Sequence, residues 1–235
     1  MFNPHARVRL LPIPGGAPCI VVDDALAAPE RWVARAAESA AGFAAAAHNA
    51  YPGIELRLPD AVTARLDEFF ARHARRALGF RRTVEAYSRL SIVTTPPDQL
   101  EPRQWICHRD RQRAAAGEGV AACVLYLFTD PALGGTGFYR PRRPEPEVAR
   151  LVHDSGVLAG PEFTARHGIT PGYQVDSNAW FEKVASVEAR FNRLIFYDGM
   201  QFHGSDILQP GRLDPDPARG RLTITGFFTC RRQAA

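Results

Sequence analysis

Lysine is nearly missing from this chain: Lys183 is the only one among 29 basic residues. Methionine is scarce, with two residues, and cysteine is limited to Cys19, Cys107, Cys123 and Cys230. The four cysteines lie far apart and form no Cys-x-x-Cys. That spacing excludes a zinc knuckle or a dithiol redox motif, and small buried apolar side chains are the expectation for all four. No apolar run approaches the ~20 residues of a membrane-spanning helix. The opening "MFNPHARVRLLPIPGG" lacks a basic flank followed by an apolar stretch, so no secretory leader is recognisable and a cytoplasmic location is expected.

What is present suits one soluble domain spanning residues 1–235. The chain is 46% hydrophobic and 23% charged, enough to bury a substantial core. Its net charge of +4 comes from arginine doublets such as Arg75-Arg76 and Arg142-Arg143, scattered rather than gathered into one stripe. That distribution argues against nucleic acid and fits a surface that attracts small anions.

Two grammars divide the chain. "PCIVVDDAL" predicts a strand leading into a helix over "APERWVARAAESAAGFAAAA", with Asp23 or Asp24 near its N-cap. "NAYPGIELRLP" predicts a loop with a Pro-Gly turn, and "AVTARLDEFFARHARRALGF" a helix burying Val62, Leu66, Phe69 or Phe70, and Leu78. Residues 1–83 are thus expected to be a helical support region. From residue 84 the period falls to two. "VEAYSRLSIVTT", "QWICHRD", "GVAACVLYLFT", "GTGFYRPR", "RFNRLIFYDG" and "GRLTITGFFTC" predict short antiparallel strands of a sandwich or barrel. Residues 144–187 interrupt them and predict short helices or loop, where His153 and His167 are expected to be solvated. His48 and His73 are expected in a loop and on a helix surface.

The chemistry begins at "QWICHRDR". In an extended segment His108 and Asp110 share one face, with Cys107 and Arg109 on the other. A further histidine, His203, follows the apolar strand of "RLIFYDGMQFHGSD". Two imidazoles and a carboxylate match the facial triad that holds Fe(II) and leaves positions open for ligands. Downstream, Arg221 and Thr223 share one face of "GRLTIT", where an arginine and a hydroxyl suit the far carboxylate of a dicarboxylic co-substrate. Arg212, in a Pro-Gly turn, is a rival anchor without a partner in phase.

With these residues in order, "HRD…FHGS…GRLTITGFF" resembles the His-x-Asp…His…Arg-x-Ser/Thr pattern of the Fe(II)/2-oxoglutarate-dependent dioxygenases, particularly the prolyl-hydroxylase-like branch. "VLYLF" is similar to that branch's "YLN" strand, "GGTGFYRP" to its Gly-Gly-x-x-Phe strand, and "TTPPDQLEPRQWICHRD" to a little-characterised bacterial group of the superfamily. The resemblance covers about residues 84–230. It implies a double-stranded β-helix (jelly roll), with His108, Asp110 and His203 binding Fe(II). Arg221, Thr223 and Tyr126 would bind 2-oxoglutarate, which dioxygen converts to succinate and CO2 as an unactivated C–H of a small molecule, amino acid or peptidyl residue is hydroxylated. Asp110 fills the position that is small in halogenating members, so hydroxylation is favoured. Gln104, Trp105, Arg109, Tyr139 and Arg140 are candidates for the substrate pocket, and Asn49 and Tyr51 for reaching over the barrel mouth. Two other readings stay open: a cupin-like metal-dependent hydrolase or isomerase, in which Arg221 has no obvious role, and a non-catalytic jelly-roll binding module. Fold does not choose the substrate.

Overall fold

The structure, a computed structural model, describes residues 1–45, 50–110 and 115–233. In chain order its strands and α-helices are β1 (Arg7–Leu11), β2 (Cys19–Asp23), α1 (Glu30–Glu38), β3 (Ala44–Ala45), β4 (Gly53–Arg57), α2 (Asp60–His73), β5 (Phe80–Val93) and β6 (Glu118–Tyr126). There follow β7 (Thr136–Pro141), α3 (Glu145–Ser155), α4 (Gly160–His167), β8 (Phe181–Val187), β9 (Arg193–Asp198), β10 (Phe202–Ser205) and β11 (Arg221–Arg232). An eight-stranded sheet in the order β1-β2-β9-β6-β11-β5-β4-β3 faces a three-stranded sheet β10-β7-β8, and the pairings are antiparallel throughout.

Side-chain alternation sorts the large sheet into two faces. Outward, Leu194 and Phe196 of β9, Cys123 and Leu125 of β6, Leu222, Ile224 and Phe228 of β11, and Leu90 and Ile92 of β5 form one buried cluster with Leu66, Phe69 and Phe70 of α2. Inward, Ala122, Tyr126, Ile195 and Tyr197 join Phe138 of the small sheet in a second cluster. The inner face is also where the polar residues lie. Thr223 stands opposite both Tyr126 and Ser91, Thr225 opposite Arg89, and Arg221 opposite Val93. Arg89 and Glu55 form a buried ion pair there.

The N-terminal third is not the helical support that was expected. Its strands β1, β2 and β4 extend the large sheet on both sides, and α1 and α2 are only part of it. The alternating arginines of "RVRLL" suit an edge strand with most of its side chains in water, which carries no apolar alternation to detect. In "PGIELR" Pro52 leads directly into a strand that begins at Gly53, where a loop was expected. Helix α1 begins after Pro29, not at Asp23 or Asp24: Asp24 takes a left-handed turn at φ 58, and Asp23 pairs with Arg193. The helix ends at Ser39, so residues 40–45 of the alanine-rich tail lie outside it. In the insert, α3 and α4 fulfil the helical half of the expectation, whereas β8 is a strand. His167 is buried rather than solvated, its Nε2 2.9 Å from Asp154 and its ring against Trp180. His48 and Asn49 lie outside the described residues. All four cysteines are buried thiols, as expected.

Asp23 ties β2 to the start of β9 through two contacts, Arg193 Nε to Oδ1 at 2.6 Å and Nη2 to Oδ2 at 3.2 Å. Partial burial pulls the Asp23 carboxyl upward, but the Arg193 hydrogen bond and charge, with Arg9 and Arg190, hold it below the usual range. A depressed folded value means stabilisation that is complete above the unfolded pKa of about 4 and lost as pH falls through the folded value. Asp23→Asn is expected to lose about 1–3 kcal/mol at neutral pH. Urea unfolding at several pH values should show that deficit shrinking below pH ~4.

Candidate metal centre

His108 lies outside the ladders, yet one reciprocal pair of backbone bonds fixes it. His108 N donates to His203 O and His203 N donates to His108 O, both at 2.9 Å. His203 in turn is held in β10, opposite Phe138 of β7. The two imidazoles therefore lie side by side, ring centroids 4.5 Å apart. Two residues on, Asp110 N donates to Gly199 O at 2.8 Å, just past the end of β9. The strand expected over "QWICHRD" does not form, because Pro102–Gln104 take a 3-10 turn and only His108 makes a bridge; even so, His108, Asp110 and His203 offer ligand atoms all within 4.8 Å of one another. His203 Nε2 is 3.5 Å and His108 Nε2 3.8 Å from Asp110 Oδ1.

The chemistry of this set fits a divalent cation. Asp110 Oδ2 is buried and has no hydrogen-bond partner among the described residues, a costly state for a carboxylate unless a cation compensates it. His203 Nδ1 lies 2.9 Å from Gln201 O, and a proton held there directs Nε2 toward Asp110 as the ligating nitrogen. The His108 side chain is half-exposed at the edge of the site; partial withdrawal from bulk water and then His203 push its pKa down to about 4, against the pull of Asp110. A neutral imidazole keeps its lone pair for a metal. Burial acts on His203 in the same direction, but the Asp110 charge and hydrogen bond outweigh it and raise its pKa. Asp110 and Asp198 flank a glycine for a steric reason: a Cβ at Gly199 would stand 2.3 Å from Asp110 Oδ2.

Arg221 and Thr223 lie on the inner face of β11, 2% and 1% exposed. Arg221 Nε donates to Leu133 O at 2.9 Å, and Nη2 to Gly135 O at 2.8 Å, above the rings of Tyr126 and Phe128. Among the described residues no carboxylate pairs with it. Arg212, the rival, is half-exposed and bonded to Asp130 at 2.7 Å. Tyr126 shares a 2.7 Å hydrogen bond with Thr136. Tyr51 reaches this end of the site, in hydrogen-bonding contact with Thr223; burial pushes its phenol up to about 12, opposed by Arg221 and Arg89.

The substrate candidates separate from the triad. Gln104 caps its own turn through Glu101 N, and Trp105 is buried against Phe163. Arg109, Tyr139 and Arg140 share a cleft of about 190 Å³ to which none of the three metal-competent residues contributes. Arg109 binds Glu145, Tyr139 donates to Gln174 O, and Arg140 pairs with Glu182. Sequence reasoning missed Tyr197, whose ring centroid is 4.6 Å from that of His203, although its place in the strand before that histidine was a usable signal. Thr136 and Gln174 carried no signal, because only the fold brings them near.

Residues 4–228 match a family described as a family of unknown function, DUF6445. The chain belongs to that family. No curated protein matches it. Among solved structures it is similar to HygX from Streptomyces hygroscopicus with nickel and 2-oxoglutarate bound, at 12% identity over 92% of this chain and 83% of that one, TM-score 0.51. SnoN, the non-heme alpha ketoglutarate dependent epimerase from nogalamycin biosynthesis, matches at 14% identity over 93% and 82%, TM-score 0.47. An N-substituted L-amino acid dioxygenase from Burkholderia ambifaria matches at 10% over 97% and 98%, TM-score 0.40. The likeness to HygX shows a shared fold, in keeping with the expected jelly roll.

If Gly199 leaves room for Asp110, then Gly199→Ala displaces the carboxylate. The variant is expected to bind Ni(II) at least about tenfold more weakly than the unmodified chain in a calorimetric titration, while the sheet itself remains folded by circular dichroism.

Proposed function

We propose that this protein is an Fe(II)- and 2-oxoglutarate-dependent dioxygenase that hydroxylates an unactivated C–H of a small molecule, an amino acid or a peptidyl residue. The observation that carries the reading is Arg221, a buried guanidinium with no acidic partner among the described residues, on the same inner face that leads to the triad. An uncompensated buried cation is strongly disfavoured unless an anion completes it. The carbonyls of Leu133 and Gly135 orient the guanidinium but bring no charge, so a ligand carboxylate is its natural partner.

In this reading His108, Asp110 and His203 hold Fe(II). Arg221 binds the far carboxylate of 2-oxoglutarate, Thr223 adds a hydroxyl, and Tyr126, tied to Thr136, forms the wall beside them. When bound, the metal supplies the redox chemistry by which dioxygen and 2-oxoglutarate yield succinate, CO2 and a hydroxylated substrate. Around it the chain keeps water from one side: Tyr197 is 4% exposed and Phe138 fully buried. Among the described residues no donor competes for Asp110 Oδ2, which leaves that oxygen for the cation. A cupin-like hydrolase or isomerase would use the triad but gives Arg221 nothing to bind.

Anaerobic titration of Fe(II) into the apoprotein with 2-oxoglutarate should produce a visible metal-to-ligand charge-transfer band that needs both additions. Asp110→Ala should abolish it. Arg221→Ala should shift the 2-oxoglutarate midpoint by the equivalent of about 2–5 kcal/mol. Metal binding without any band would transfer the weight to the hydrolase or isomerase, and no metal binding would leave a binding module.

A further inference from the structure

The segment that carries two of the three metal-competent residues has almost no ladder of its own. From Leu100 to Asp110 its backbone meets the sheets only through the His108–His203 bridge and the Asp110 bond to Gly199. The insert between β7 and β8 holds the rest. Leu100, Trp105, Ile106 and Cys107 share one buried cluster with Leu151 and Phe163 of α3 and α4. The Trp105 ring packs edge-on to Phe163 at 5.9 Å, and a Cβ at Gly160 would stand 3.0 Å from it.

Polar ties bracket His108. On one side Cys107 N donates to Gln174 Oε1 at 2.9 Å. On the other, the Arg109 guanidinium lies 4.2 Å above the Phe202 ring and makes two bonds to Glu145 at the start of α3, 3.0 and 3.4 Å long. The Glu145 pair is partly exposed and contributes little by itself. The Gln174 contact is different, because Cys107 is buried and its N–H has no other acceptor among the described residues. Gln174 is itself pinned: its carbonyl accepts Tyr139 Oη at 2.8 Å, Tyr173 Oη donates to Thr95 O at 2.6 Å, and Lys183 Nζ donates to Val175 O at 2.7 Å.

We propose that Gln174 is a positioning residue for the metal centre, and that the insert is a structural wall of that centre rather than a connection looped out from it. The carboxamide sets the position of His108 by holding the backbone immediately before it. This rests on the reading that His108, Asp110 and His203 bind a divalent metal. By linkage, a metal that binds the positioned segment must also stabilise the insert that positions it.

The test uses Ni(II) on the full chain, with affinity by calorimetry and amide hydrogen exchange by mass spectrometry. Gln174→Leu, which keeps the volume and removes the acceptor, is expected to weaken Ni(II) binding roughly tenfold or more, whereas Gln174→Glu, which keeps an acceptor oxygen, stays within about threefold of the unmodified chain. In the unmodified chain Ni(II) should slow exchange across α3, α4 and residues 172–176, a readout that needs no variant to fold. Equal affinities for Gln174→Leu and the unmodified chain would overturn the proposal, as would Ni(II) protection confined to the two sheets. An unmodified chain that binds no Ni(II) would instead remove the metal reading beneath it, and the two failures are distinguishable in the first titration.

Discussion

The reciprocal backbone bonds between His108 and His203 are the constraint on which the site depends. They join residues 95 positions apart, one in a segment without regular structure and one in a four-residue strand. Neither histidine alone sits on a strong scaffold. Pairing their backbones fixes the imidazoles side by side, and Asp110 follows because its N–H is taken by Gly199. The orphaned oxygen of Asp110 shows what such convergence leaves behind: three ligand atoms brought together with nothing among the described residues to complete them. A fold that minimised its own energy would have paired that carboxylate.

The same tension runs along the inner face of the large sheet. The outer face is apolar where α2 covers it, except for the buried Thr63–Ser88 hydrogen bond, and it supplies the burial that holds the helix against the large sheet. The inner face carries Arg221, Thr223, Thr225, Arg89 and Ser91, all buried. Arg89 is compensated by Glu55, and Thr225 links it to Ser91. Arg221 is the member of this stripe left without an acid among the described residues. Stability is therefore concentrated on one face and binding capacity on the other, and period-two alternation keeps them apart.

Much of this was legible in the chain. Alternation in "GVAACVLYLF", "RLIFYDG" and "GRLTITGFF" predicts β6, β9 and β11 and the face each residue takes, because a strand's period is strict. His108, Asp110 and His203 were visible as metal-competent residue types in a suggestive order. The edge strand β1 and the strand β8 were not, since an exposed edge and a half-buried seven-residue strand lack the apolar rhythm that identifies a central one. His167 looked solvated because a single histidine in a polar insert gives no sign of the buried Asp154 that meets it thirteen residues away.

By itself the sequence determined the β-rich class, the two faces of the central strands and the buried state of the cysteines, all consequences of local period and residue chemistry. Only the tertiary structure decided what meets what. It placed Tyr197 beside His203, turned Arg109 toward Glu145 and Tyr139 toward Gln174, and set Gln174 against Cys107. The contacts of Arg109, Tyr139 and Cys107 join residues 35 to 67 positions apart through long-range packing, which no local pattern encodes.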